Sequence, residues 1–175
     1  MRRLKIAFTG TRGILGGAVI DRLGHDPDCR RLILLDLVPP PREIKKAVFY
    51  RVDLTEPTAS ARIAEAFDRE RPDVVVHLAF LQHPTRNSGY EHELESLGTM
   101  HLLHALTRTS RRGRAPHLIL GSSTEVYGAR SENPNFLRED APLAGRRNYP
   151  LVGEKIEAER QVERFHASER VAVTV

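Results

Sequence analysis

The sequence predicts an α/β fold: a doubly wound parallel sheet of strand order 3-2-1-4-5-6, with helices on both faces. Three observations carry that prediction. Short apolar runs alternate with longer amphipathic segments, a glycine-rich loop joins the first run to the first helix, and an aspartate closes the second run. The first strand runs from Leu4 to Phe8, and the helix after the glycine loop from Ile14 to Leu23. Leu32 to Asp36 and Val48 to Tyr50 are the next apolar runs and so the next strands. Pro39-Pro40-Pro41 between them is a stiff local loop and not a domain linker, because the strand-helix rhythm resumes directly after it. A helix over Pro57 to Arg69 precedes the strand Val74 to His77. One long helix then spans Ser88 to Thr109, after a loop at His83-Pro84. The strand Leu118 to Leu120, a helix from Pro150 to Ala167 and a last strand from Val171 to Val175 complete the pattern. Right-handed crossovers between six such strands place a ligand at their carboxyl ends.

The chain has 175 residues, the length of one domain, with 40% hydrophobic and 29% charged residues, an ordinary globular balance. Its longest apolar runs, such as Leu32 to Leu35, are far shorter than the roughly 18 residues a membrane helix needs. Met1-Arg2-Arg3 leads straight into a strand without the apolar core of a signal peptide, so a cytoplasmic protein is expected. The single cysteine, Cys29, forms no internal disulfide, which suits a reducing compartment. Net charge is +4, but the basic residues are scattered. The one dense cluster, Arg111, Arg112 and Arg114, suits the end of a helix, where cations complement the dipole, so no nucleic-acid partner is expected. Only four of the 27 basic residues are lysines: Lys5, Lys45, Lys46 and Lys155.

Thr9-Gly10-Thr11-Arg12-Gly13-Ile14-Leu15-Gly16-Gly17 is a G-x-x-G-x-x-G loop between strand and helix, the setting in which backbone amides and a helix N-terminus cradle a pyrophosphate. Gly10, Gly13 and Gly16 allow the tight turn and close approach, and Arg12, Ile14 and Leu15 flank them. Asp36 follows Gly16 by 20 residues at the end of the second strand, where a carboxylate accepts hydrogen bonds from a ribose 2′-hydroxyl. Arg12 would suit a 2′-phosphate, which Asp36 repels, so the expected cofactor is NAD and not NADP.

These residues resemble the extended short-chain dehydrogenase/reductases, the NAD-dependent epimerase/dehydratase family, and the resemblance runs the whole length. It includes Asp53-Leu54, which the family sets against adenine, and His77-Leu78-Ala79-Phe80, similar to the family's His-Leu-Ala-Ala beside the cofactor. Leu97-Gly98-Thr99 and Ser122-Ser123-Thr124-Glu125-Val126-Tyr127-Gly128 extend it. The resemblance implies a Rossmann-like NAD-binding domain over 1–175 with the smaller, carboxy-terminal substrate domain missing. It also implies transient hydride transfer on a nucleotide sugar or similar hydroxylated small molecule. Family chemistry uses a tyrosine as acid/base, a lysine four residues later and a hydroxyl on the reacting oxygen. The resemblance places the hydroxyl at Ser123 and the lysine at Lys155, in Gly153-Glu154-Lys155-Ile156-Glu157. The ammonium would lower the phenol pKa and hold the nicotinamide ribose. The spacing equally suits an exposed Lys155–Glu159 pair at i+4.

The match is incomplete at the catalytic end. Four residues before Lys155 stands Leu151; Tyr149, at i−6, would lie about 240° around a continuous helix. Pro150 opens the helix, however, so Tyr149 belongs to the entering loop and is the candidate acid/base. Glu95 stands where the family has Asn, and Thr124 where dehydratase-like members have Asp. A non-catalytic NAD-binding or scaffold protein is therefore the competing expectation, and negligible turnover is expected of these residues alone. His101 and His104 are one helical turn apart with no third ligand in evidence, so no metal is expected. A symmetric homodimer is expected through the two long helices, whose Tyr90, Leu94, Leu97, Leu102, Val152, Ile156 and Phe165 exceed one sheet-facing stripe.

Overall fold

A computed structural model describes residues 3–81, 88–113 and 115–175; His83 and Pro84 lie outside them. Six parallel strands form one sheet of order β3-β2-β1-β4-β5-β6, as the strand-helix alternation predicts. They are β1 (Leu4–Thr9), β2 (Cys29–Asp36), β3 (Ala47–Arg51), β4 (Val74–His77), β5 (His117–Leu120) and β6 (Val173–Thr174). The helices are α1 (Ile14–His25), α2 (Ala59–Glu70), α3 (Ser88–His92), α4 (Gly98–Ser110) and α5 (Pro150–Glu169).

The central strands are buried on both faces, which is why they read as continuous apolar runs. Ile6, Phe8, Leu32 and Leu34 point to one layer, where Ile20 of α1 meets them. Ala7, Ile33, Leu35, Val75 and Leu118 point to the other, against Ile63 and Phe67 of α2 and Leu102 and Leu106 of α4. The register aligns the strand ends that carry chemistry. Thr9 is opposite both Leu35, the neighbour of Asp36, and His77, and His77 is opposite Leu120.

Three elements differ from expectation. The helix expected over Ser88 to Thr109 is interrupted by a π-helical turn, Glu93–Leu97. There the Thr99 hydroxyl donates to Glu95 O at 2.5 Å, tying the start of α4 to the turn. The second helix starts at Ala59, two residues after Pro57, because Ala59 N closes a turn on Glu56 O at 2.9 Å first. The final strand is only two residues long, and fully buried Val171 precedes it as core. The surplus apolar surface expected on the long helices is also smaller: Leu102, Val152, Ile156 and Phe165 are buried within the chain itself. Among the described residues no helix is long and apolar enough to cross a membrane.

Phe67 tests the larger core layer, being fully buried between α2 and the sheet. Phe67→Ala lowers unfolding stability by about 3–5 kcal/mol, read as a shift in the urea midpoint at unchanged slope.

Candidate functional site

The glycine loop is built by close backbone approach. Gly10 has φ +71°, and a Cβ there would lie 2.3 Å from the carbonyl of Leu78 and 2.5 Å from Ala79 N, the backbone that leaves β4. A Cβ on Gly16 would lie 2.3 Å from Gly10 O, so α1 packs directly on the turn. Gly13 caps α1 in extended conformation with no side-chain hydrogen bond, and the first turn contains no acid. The helix thus opens without a carboxylate that would compete for an anion. Ile14 and Leu15 are exposed at the crest.

Asp36 closes this end. Its Oδ2 accepts from Thr11 N and Thr11 Oγ1, both at 2.8 Å, and its Oδ1 from Leu37 N at 2.7 Å. These bonds aim the carboxylate into the loop and leave lone pairs for further donors. Arg12 reaches over the same loop to Pro39 O at 3.4 Å. Past β3, Asp53 Oδ1 accepts from Thr55 N and Oγ1, and Leu54 O accepts from His101 Nδ1 at 2.9 Å. His101 is thereby occupied as a structural donor, and no group of three or more metal-ligating residues occurs among the described residues.

At the other end, a cavity of about 270 Å³ joins the glycine loop to the later motifs. Gly13, Leu15 and Gly16 line one side, Leu78 and Phe80 the floor, and Ser122, Ser123, Leu151 and Lys155 the far wall. Lys155 therefore lines this cavity together with Ser123. Its partner is not Glu159, which instead accepts from Ser122 Oγ. The Lys155 ammonium faces inward, 3.5 Å from Glu95 Oε2, 3.3 Å from Leu81 O and 3.4 Å from Leu151 O, because α5 turns this face to the π-helical turn. Phe80 lies under it, with the ammonium 5.8 Å from the ring centroid. Ser123 also caps the short 3-10 turn Thr124–Tyr127, accepting from Glu125 N at 3.3 Å.

Tyr149 stands apart from this wall. It is the N-cap of α5, 48% exposed, and lines a neighbouring cavity of about 1010 Å³ with Arg130, Arg146 and Asn148. Glu125 lines both cavities, while Leu151 occupies the i−4 position facing the smaller one.

Behind the cavity runs a buried polar chain. Thr9 Oγ1 bonds His77 Nδ1, and His77 Nε2 bonds Thr99 Oγ1 at 3.0 Å. His77 is fully buried, and burial pushes its imidazole down to about 3. Burial also raises the Glu95 carboxyl above its ordinary value, opposed by the Lys155 ammonium and the Leu81 amide.

A sequence profile described as the NAD dependent epimerase/dehydratase family matches residues 6–175. The chain belongs to this family. Uncharacterised proteins of Mycobacterium bovis and Mycobacterium tuberculosis are each 30% identical to it over 142 residues, 78% of this chain and 36% of theirs. The chain thus spans about a third of the length of those relatives. Among solved structures, UDP-glucose 4-epimerase from Thermotoga maritima, with UDP-glucose, is similar at TM-score 0.78 and 21% identity. The match covers 98% of this chain and 54% of that one. The dTDP-glucose 4,6-dehydratase from Bacillus anthracis, in complex with NAD, is similar at TM-score 0.75 and 17% identity, covering 97% and 53%. At such identities the likeness is one of fold, and the epimerase/dehydratase fold is what this chain adopts.

Sequence reasoning gathered Gly13, Leu15, Gly16, Leu78, Phe80, Ser123 and Lys155, and all of these line one cavity. It missed Leu81, whose amide and carbonyl engage Glu95 and Lys155, because a backbone contact leaves no mark on residue type. Glu95 drew attention only as a departure from the family's Asn.

His77 supplies a test. It resists protonation in the fold but accepts a proton near 6.5 when unfolded, so the unfolded state binds more protons between those values. Stability contributed by this group is complete above pH 6.5 and is lost as pH falls toward about 3, by up to ~1.4 kcal/mol per pH unit. Urea unfolding at pH 7, 6 and 5 measures the slope; His77→Gln flattens it.

Proposed function

We propose that this chain is the NAD-binding domain of an epimerase/dehydratase-type oxidoreductase. The protein would act by transient hydride transfer on a nucleotide sugar or similar hydroxylated molecule. The carrying observation is the single cavity that glycine-loop residues share with Ser123 and Lys155. The residues fit the dinucleotide: an uncapped, acid-free helix start at the pyrophosphate and a carboxylate at the end of β2 for the adenosine ribose. When bound, NAD supplies the hydride acceptor. In this reading Lys155 holds the nicotinamide ribose, Ser123 donates to the substrate oxygen and Tyr149 exchanges its proton.

The second reading is an NAD-binding protein without turnover. It is favoured by Leu151 at the i−4 position and by Tyr149 lining the neighbouring cavity. The proposal extends to a symmetric homodimer through α4 and α5, in the cytoplasm. Supporting the dimer is a groove between those helices lined by Met100, His104 and Arg164, where Gln161 Oε1 is buried without a hydrogen-bond partner among the described residues.

Titration calorimetry with the 175-residue chain gives tighter binding of NADH than of NADPH, by about tenfold or ~1.4 kcal/mol. Asp36→Ala narrows that gap, and equal or tighter NADPH binding by the unsubstituted chain rejects the assignment. In an active longer form, Tyr149→Phe lowers turnover about 100-fold or more; an unchanged rate favours another proton donor.

A further inference from the structure

Glu95 is fully buried on the π-helical turn, yet both its carboxylate oxygens are engaged by elements remote in sequence. Leu81 N donates to Oε1 at 2.7 Å, and Lys155 Nζ lies 3.5 Å from Oε2. The Lys155 side chain is only 11% exposed, and its three protons meet three acceptors: Glu95 Oε2, Leu81 O and Leu151 O. Two of these are neutral carbonyls, so among the described residues Glu95 supplies the one formal negative charge in direct contact with the ammonium. A buried ammonium without such a partner is costly and sheds its proton.

The turn that carries Glu95 is itself held from behind. Thr99 Oγ1 bonds Glu95 O and His77, and His77 bonds Thr9, the residue before Gly10. A π-helical turn inside an α-helical run is frequent at functional sites, where it re-aims a side chain. With Leu151 at the i−4 position, no side-chain oxygen comes from that place, and the ammonium is oriented from the opposite side, by α3–α4.

We propose that Glu95 is a positioning residue, which fixes the Lys155 ammonium, charged and immobile, on the wall of the small cavity where a dinucleotide ribose is held. The cofactor part rests on the NAD-binding reading above; the Glu95–Lys155 clamp does not. Other charges around the pair are Glu154 on α5, bonded to His92 on α3 at 3.1 Å, Glu125 across the cavity and Glu159 one turn further along α5. His77, behind Phe80, stays neutral at physiological pH.

Four lysines make the clamp directly observable. In the chain labelled with ¹⁵N-lysine, a slowly exchanging ammonium signal at neutral pH, absent from Lys155→Met, reports the buried group. Glu95→Gln, which keeps an acceptor for Leu81 N, is expected to abolish that signal or move its disappearance to lower pH. It is also expected to weaken NADH binding about five- to tenfold. The double variant Glu95→Gln/Lys155→Met is expected to bind NADH no worse than Lys155→Met alone. An unchanged ammonium signal in Glu95→Gln overturns the proposal, as does a loss of affinity that is the same with and without Lys155. If Glu95→Gln does not fold, Lys155→Met gives the reciprocal measurement in ¹³C-glutamate-labelled chain. The Glu95 carboxyl midpoint then moves up when the ammonium is removed, and an unmoved midpoint overturns the clamp. Failure of the unsubstituted chain to bind NADH removes the nucleotide reading, while the ammonium signal, which needs no ligand, still decides whether Glu95 holds Lys155.

Discussion

The carboxyl edge of the sheet depends on the missing side chain at Gly10. Backbone leaving β1 touches backbone leaving β4, and α1 rests on the same turn through Gly16. Any Cβ at Gly10 would overlap the Leu78 carbonyl and would also sit at positive φ, so sterics and backbone conformation select the same residue. That approach sets Gly16 and Leu78, which both line the small cavity, against the same turn. It also brings Thr9 beside His77, which starts the polar chain behind the cavity.

Strand order and layering were legible in sequence because they follow from period and burial. The central strands are apolar throughout, and their lengths with intervening amphipathic helices leave few topologies open. The glycine loop and Asp36 were legible for a different reason: their spacing is dictated by the turn itself. Interactions between distant backbone atoms were not. Nothing in Leu81 marks it as donor to an acidic side chain and acceptor from a basic one, and nothing in Thr99 marks it as bonding both Glu95 O and His77. Lys155 was singled out through its rarity and motif position, and the competing pair with Glu159 came from considering its own helix alone. Glu159, four residues on, faces Ser122, whereas the carboxylate that meets the ammonium lies 60 residues earlier in the chain.

Charge placement at the candidate site departs from the family pattern at two positions. Where the family has an aromatic hydroxyl before the lysine, this chain has an aliphatic side chain; where it has a neutral amide, this chain has a carboxylate. With Leu151 in place no phenol oxygen meets the ammonium from its own helix, and Glu95 meets it from the π-helical turn. The side-chain anchor of the lysine thereby comes from a neighbouring helical segment and not from its own helix.

The π-helical turn has a consequence for how the chain tolerates insertions and deletions. Such a turn contains one residue more than the α-helix around it. Deleting a single residue between Glu93 and Leu97 would let the run from Ser88 to Ser110 close as an uninterrupted α-helix. The four residues left would turn through nearly the same angle as the five of the π-helical turn, so the segment before the deletion would keep its phase relative to α4. α4 would stay anchored in the core through Leu102, Ala105 and Leu106, and α3 would stay on its present side. The helix would become more regular with His92 still on the side of Glu154 on α5, so the change would fall on the residues of the turn itself.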